Sequence, residues 1–243
     1  MKLKGTCCVV TGAARGIGLA IGQALLERGA RVLLSDVDAA ALEEVVRDLG
    51  PGAAACVADV SSAASMQEVV EAARRHGGQI RVWVNNAGMA RHRAVVDYTE
   101  AEIEAMLAVN LKGTILGSQA ALREMRRTGC GHIVNVISTA SLRGIPRESV
   151  YCAAKWGVRG FTQALREEAA SHGVRVSGLL PGGVDTAFWT GAVDRVMPVQ
   201  DFLSAQEVAL ALVGLLEMPD HVVPQELVVR SIRDRDFTHA GDE

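Results

Sequence analysis

Short apolar runs alternate with longer amphipathic stretches along most of the chain. Cys7-Cys-Val-Val-Thr11 is apolar and β-leaning and reads as a buried strand, whereas Ile17 to Leu26 repeats its apolar positions at helical spacing. The same pattern predicts strands near 6–11, 31–35, 53–57, 80–84, 131–137, 174–180 and 226–230. It predicts helices near 16–28, 39–49, 62–76, 100–126, 150–172 and 205–217. Regular β–α alternation implies an α/β fold, a doubly wound parallel sheet of about seven strands with helices on both faces. No internal repeat, low-complexity tract or linker interrupts it, so one domain is expected over residues 1–230, followed by a charged tail, 231–243. Thr11, Asp36, Asp59, Asn85, Ser138 and Pro181 each follow a predicted strand. They should therefore converge on the carboxyl edge of the sheet, where such folds bind ligands.

Three local patterns carry chemistry. Gly12-Ala-Ala-Arg-Gly16-Ile-Gly18 lies between a predicted strand and a predicted helix. Glycines there let a backbone approach a pyrophosphate, and the helix N-terminus supplies free N–H groups and a positive dipole end. Asp36 ends the second predicted strand, roughly 20 residues on, where a carboxylate can bind adenosine ribose hydroxyls and repel a 2′-phosphate. No cation follows it (Val37, Asp38), and Asp38 is the expected cap of the next helix; Arg15 alone points toward a 2′-phosphate. Tyr151 and Lys155 stand four apart, on one face of a predicted helix. An ammonium beside a phenol favours the phenolate, which would let Tyr151 act as an acid/base.

Together with Asp59-Val60, Asn85-Asn86-Ala87-Gly88, Asn110, Ser138 and Pro181-Gly182, these motifs resemble the short-chain dehydrogenase/reductase family, in order from about residue 5 to about 190. The resemblance implies a Rossmann-like oxidoreductase with a nicotinamide cofactor. It implies that Gly12, Arg15, Gly16, Ile17 and Gly18 form the pyrophosphate loop and that Asp36 is the ribose-binding acid of NAD-preferring members. Asp59 and Val60 would contact adenine. Asn86, Ala87 and Gly88 would steady the central strand and lie along the cofactor, and Pro181, Gly182, Val184 and Thr186 would flank the nicotinamide. Asn110, Ser138, Tyr151 and Lys155 match the catalytic tetrad. In that scheme Tyr151 exchanges a proton with the substrate oxygen, Ser138 hydrogen-bonds the same oxygen, Lys155 holds the ribose, and Asn110 positions a relaying water.

Composition narrows the setting. Net charge is −3, which gives no reason to expect nucleic acid as a partner. With no charged-then-apolar leader and no apolar run of roughly 18 residues, a cytoplasmic protein with no membrane partner is expected. Five cysteines, an odd number without metal spacing, read as reduced thiols; Cys7 and Cys8, adjacent in a strand, should face opposite sides. The expected cofactor is NAD rather than NADP, the expected partner a small-molecule alcohol or ketone, and the expected assembly a homodimer or homotetramer. An NADPH-dependent reductase of 3-oxoacyl or other ketones remains an alternative, as does a non-catalytic nucleotide sensor or scaffold on the same fold.

The sequence departs from the family pattern in three places. Ile137 stands where a second serine is common, the C-terminal segment lacks a glycine-rich ending, and the lid between Ala187 and Asp201 is short. Residues from Met89 to Arg93, with Ala140, Leu142, Arg143, Ile145, Pro146, Gly183, Phe188 and Trp189, should line an apolar substrate pocket. Among Arg91, His92, Arg93, Arg143 and Arg147, an arginine could take an acidic substrate group, Arg143 being the first to test.

Overall fold

A computed structural model describes residues 1–189 and 199–234. The chain begins β1 (Cys7–Thr11), α1 (Gly16–Glu27), β2 (Arg31–Asp36), α2 (Ala39–Leu49), β3 (Ala53–Val57), α3 (Ala63–Gly77) and β4 (Ile80–Asn85). It continues α4 (Glu100–Leu107), α5 (Gly113–Met125), β5 (Gly131–Val136), α6 (Ser149–Ala170) and β6 (Val174–Pro181). Last come β7 (Val184–Asp185), β8 (Leu203–Ser204), α7 (Ala205–Glu217) and β9 (Glu226–Val229). Seven strands form one parallel sheet in the order β3-β2-β1-β4-β5-β6-β9. The order reverses between β1 and β4, which opens a crevice at their carboxyl ends.

The strand alternation sorts side chains into two cores. Cys8, Val10, Val32, Leu34, Val84 and Val134 face α1 and α7, while Cys7, Val9, Leu33, Trp83 and Ile133 face α3, α5 and α6. Cys7 and Cys8 thus do point to opposite faces, and all five cysteines are free thiols. Helix starts are set locally: Asp38 accepts from the Ala41 N–H and Ser62 from that of Ser65, and Thr99 with Glu102 and Ser204 with Glu207 form capping boxes. Among the described residues no helix is long and apolar enough to cross a membrane.

Two expectations need correction. Residues 100–126 do not form one unbroken α-helix, because Ala108–Lys112 winds as a π-turn between α4 and α5. The Asn110 side chain occupies the Met106 carbonyl at 2.9 Å, competing with the backbone for the acceptor four residues back, and Thr114 Oγ1 takes the Asn110 carbonyl at 2.8 Å. The second is the strand count: β7 and β8, which the pattern did not predict, form a small parallel sheet of their own apart from the seven-stranded one. Much of the expected lid, 190–198, and the tail from 235 onward lie outside the described residues.

A buried polar network ties the two central strands to the helices beneath. Asn85 Nδ2 donates to Ser118 Oγ (2.9 Å) and Asn135 Oδ1 (2.8 Å), Asn135 Nδ2 donates to Thr162 Oγ1 (2.8 Å), and Trp83 Nε1 donates to Asn85 Oδ1 (2.7 Å). Gly117 makes room for it, since a Cβ there would lie 2.1 Å from Asn85 Oδ1. Gly117→Ala is therefore expected to cost about 3 kcal/mol, through overpacking and a broken network. Urea unfolding should show a lower midpoint at unchanged slope; an unchanged midpoint would mean that the network yields freely.

Candidate active site

One cavity of about 1070 Å³ runs along the carboxyl edge of the sheet. Gly12, Arg15, Gly16 and Ile17 line one end of it with Asp36, Asp59 and Val60. Asn86, Ala87 and Gly88 line its middle, Ser138, Tyr151, Lys155, Pro181, Gly182 and Val184 its far end, and Thr186 lies against Gly16. Of the cofactor-binding and catalytic residues expected from the family resemblance, Gly18 and Asn110 stand behind the wall. Gly18 is buried in α1, where a Cβ would meet the Gly12 carbonyl at 2.2 Å and Asn86 Nδ2 at 2.6 Å. Asn110 is fully buried; its amide grips both sides of the Met89 peptide, donating to the carbonyl at 2.8 Å and accepting from the N–H at 3.2 Å.

The nucleotide end has the shape and polarity that a dinucleotide needs. Gly12 (φ 63°) passes so close to β4 that a Cβ would lie 2.6 Å from the Ala87 Cα. Asn86 Nδ2 clamps that crossing by donating to the Thr11 and Gly12 carbonyls at 2.9 and 3.0 Å. Arg15 begins α1 without a side-chain cap, and no acidic residue occupies the first turn, so its N–H groups face the cavity mouth without a competing anion. Asp36 accepts from the Ala14 N–H at 3.0 Å and the Asp38 N–H at 3.1 Å, which leaves carboxylate lone pairs for further donors. Arg15 is ion-paired with Asp38. A nicotinamide dinucleotide fits this donor set: amides for the pyrophosphate, and a carboxylate for hydroxyls.

At the far end, Ser138 Oγ accepts from the Ala140 N–H at 3.1 Å, so it caps a turn, and its hydroxyl is a hydrogen-bond partner of the Tyr151 phenol. Lys155 Nζ donates to the Val136 carbonyl at 3.2 Å and lies 5.6 Å from the centroid of the Tyr151 ring. Both side chains are buried. Burial raises the Tyr151 pKa well above that of a free phenol, the Ser138 hydroxyl offsets part of this, and Glu148 and Cys152 add to the rise. The expectation that Lys155 makes the phenol acidic is therefore not met in the protein alone: burial dominates the phenol with no offsetting pull from Lys155, which is itself pushed down to about 8 by burial.

That shift gives a test of the site's electrostatics in the protein alone. Between the native value of about 8 and the unfolded value of about 10.4, the unfolded chain binds a proton that the native state lacks, so stability rises with pH. Below the native value both states are charged and the native state bears the desolvation cost. The unfolding free energy of wild type minus that of Lys155→Met should thus rise by about 3 kcal/mol from neutral pH to pH 10.4, since each pKa unit is worth about 1.4 kcal/mol. Equal pH dependence in the two proteins would refute it.

The sequence did not signal three further features. Glu148 lines the cavity, and its Oε1 lies 3.6 Å from Nδ1 of the buried His92, whose ring is 6.2 Å from that of Tyr151. Asp234, assigned to the tail, joins the wall beside Gly182. Arg147 is the one non-glycine with positive φ (69°) among the described residues. These are pairings and strains across the fold, with no local sequence mark. Of the expected pocket residues, His92, Arg93, Ala140 and Leu142 do not line the cavity: Leu142 is exposed, and His92 and Ala140 lie buried behind the wall, while Ile137 packs with Val158 and Leu180.

Fold and cavity define a dinucleotide-dependent α/β oxidoreductase. The family model for short chain dehydrogenase matches residues 6–196, and the protein belongs to that family as an NAD(P)-dependent dehydrogenase/reductase. An uncharacterized oxidoreductase of Staphylococcus epidermidis is 34% identical, over 95% of this chain and 99% of its own. Another from Staphylococcus saprophyticus is also 34% identical, over 96% and 100%. Among solved structures, an alcohol dehydrogenase of the archaeon Thermococcus sibiricus complexed with 5-hydroxy-NADP superposes with a TM-score of 0.86 at 32% identity, covering 95% of this chain and 98% of that one. A 3-ketoacyl-(acyl-carrier-protein) reductase of Brucella melitensis complexed with NADH gives 0.86 at 28%, covering 93% and 97%.

Proposed function

We propose that the protein interconverts a secondary alcohol and its ketone with NAD(H), Tyr151 serving as the acid/base. The observation that carries this reading is the single cavity with Asp36 and an uncapped helix N-terminus at one end and Ser138, Tyr151 and Lys155 at the other. The nicotinamide, when bound, supplies the hydride chemistry and, in its oxidised form, a positive charge near the phenol. Ser138 donates its O–H to the substrate oxygen and stabilises charge that builds there. Tyr151 takes the alcohol proton, or returns it to the alkoxide. Lys155, with one of its three hydrogens on the Val136 carbonyl, keeps two for ribose hydroxyls. Asn110 is a positioning residue that holds the Met89 peptide and the π-turn.

NAD(H) is favoured because Asp36 lines the cavity with carboxylate lone pairs to spare for ribose hydroxyls, and the cation that would welcome a 2′-phosphate, Arg15, is paired with Asp38. The NADPH-dependent ketone reductase is the second reading, supported by that same arginine and by the NADP analogue complexed with the Thermococcus sibiricus alcohol dehydrogenase. Fluorescence titration with NADH and NADPH decides between them: tighter NADH supports the first, tighter NADPH the second. The free thiols accord with a reducing, cytoplasmic setting. A homodimer through α5 and α6 accords with Trp156, half-exposed on α6.

A further inference from the structure

We infer that Arg91 is the anchor for a carboxylate carried by the substrate, so that the alcohol or ketone acted on is a hydroxy acid or keto acid. This rests on the alcohol–ketone reading above and adds the substrate class. Arg91 follows β4, is half-buried, and lines the same cavity as Ser138 and Tyr151. The surrounding wall is largely apolar, formed by Met89, Ala90, Ile145, Phe188 and Trp189. A cation in such a wall is expected to have an anion.

Among the described residues Arg91 forms no ion pair, and its hydrogen bond, Nη1 to the Ala90 carbonyl at 3.2 Å, is to its own neighbour. The other arginines of the region are engaged. Arg93 pairs with Glu102 at 3.2 Å, and Arg143 and Arg147 have partners of their own. This moves the acid-binding expectation from Arg143 to Arg91. Glu102 lies near enough to be felt by Arg91, yet its oxygens already hold Arg93 and the Thr99 cap. Glu148 also lines the cavity, with its Oε1 3.6 Å from Nδ1 of His92.

The Arg91 backbone is held in place. Tyr98 Oη donates to the Arg91 carbonyl and lies 3.5 Å from the Arg147 carbonyl, joining the two loops at the mouth. A guanidinium on a fixed backbone, in a partly desolvated wall, suits a planar two-oxygen anion through paired N–H donors.

The test measures binding of straight-chain carboxylates, from butyrate to octanoate, and of the matching primary amides to the protein–NADH complex by calorimetry. Wild type should prefer the acids by about 10- to 100-fold, the worth of hydrogen bonds between charged groups. Arg91→Ala should erase that preference and leave amide and NADH affinity unchanged; Arg91→Lys should restore part of it. Equal binding of acid and amide in wild type, or a preference that survives Arg91→Ala, overturns the inference. Turnover of 3-hydroxy acids against 2-alkanols of equal length is read separately. Acids that bind through Arg91 while neither class turns over would leave the anchor standing and sink the alcohol–ketone reading.

Discussion

Tyr151→Phe is expected to lower kcat by about 10³-fold or more on any substrate that turns over, with NADH affinity unchanged within about twofold. The phenol is buried, sits with Ser138 on the cavity wall, and is the titratable O–H at that end of the site. Phenylalanine preserves the ring and its packing with Phe188 and Ala140, so folding should survive. The loss should fall on kcat and kcat/KM alike, because the missing proton transfer belongs to the transition state. Burial raises the phenol's pKa while the bound positive cofactor and Ser138 lower it, so wild-type oxidation should accelerate toward alkaline pH as more of the phenol ionises. Tyr151→Phe should lose that limb. A variant that keeps its rate and its pH profile would remove Tyr151 from the chemistry and reopen the scaffold reading.

Asp36→Asn is expected to lower the ratio of kcat/KM for NADH over NADPH by about 100-fold. Asparagine can keep a hydrogen bond to the Ala14 N–H, now 3.0 Å from the carboxylate, while removing the charge. Two hydrogen bonds from ribose hydroxyls to a charged acceptor are worth roughly 3 kcal/mol, hence the factor of about 100. Loss of repulsion toward a 2′-phosphate works in the same direction. Releasing Arg15 by Asp38→Asn should add to the shift, since its guanidinium would then be free to meet the phosphate. If wild type already prefers NADPH, the Asp36 argument falls, and Arg15 with a ketone reductase takes its place.

Most of the architecture could be read along the chain because it follows from period. Alternation of two in β1 through β6 sends Cys7 and Cys8 to opposite cores, and helical period elsewhere places one apolar face of each helix on the sheet. The glycine turn, Asp36 and the Tyr151–Lys155 pair were legible for a related reason. Each is a local pattern whose chemistry depends on spacing within one turn, one strand end or one helix. Their meeting on one sheet edge followed from parallel topology alone, before any side-chain geometry.

Where the sequence misled, the deciding term was an environment. Asn110 has the sequence context of an ordinary helix residue, yet its amide reaches Met89, 21 positions back, and the helix winds as a π-turn around it. The i,i+4 spacing put Lys155 beside Tyr151, but spacing carries no dielectric: once both are buried, desolvation raises the phenol and lowers the ammonium. Which arginine stands without a carboxylate, that Glu148 faces His92 across 56 positions, and that Asp234 returns to the cavity all depend on contacts between segments far apart in the chain. By itself, then, the sequence determined the layered α/β fold, the ligand edge and the chemical kinds of group along it, because those depend on periodicity and short spacing. Tertiary structure alone decided which charges are spent and how burial sets their proton affinities, because those energies depend on distance and solvent exclusion.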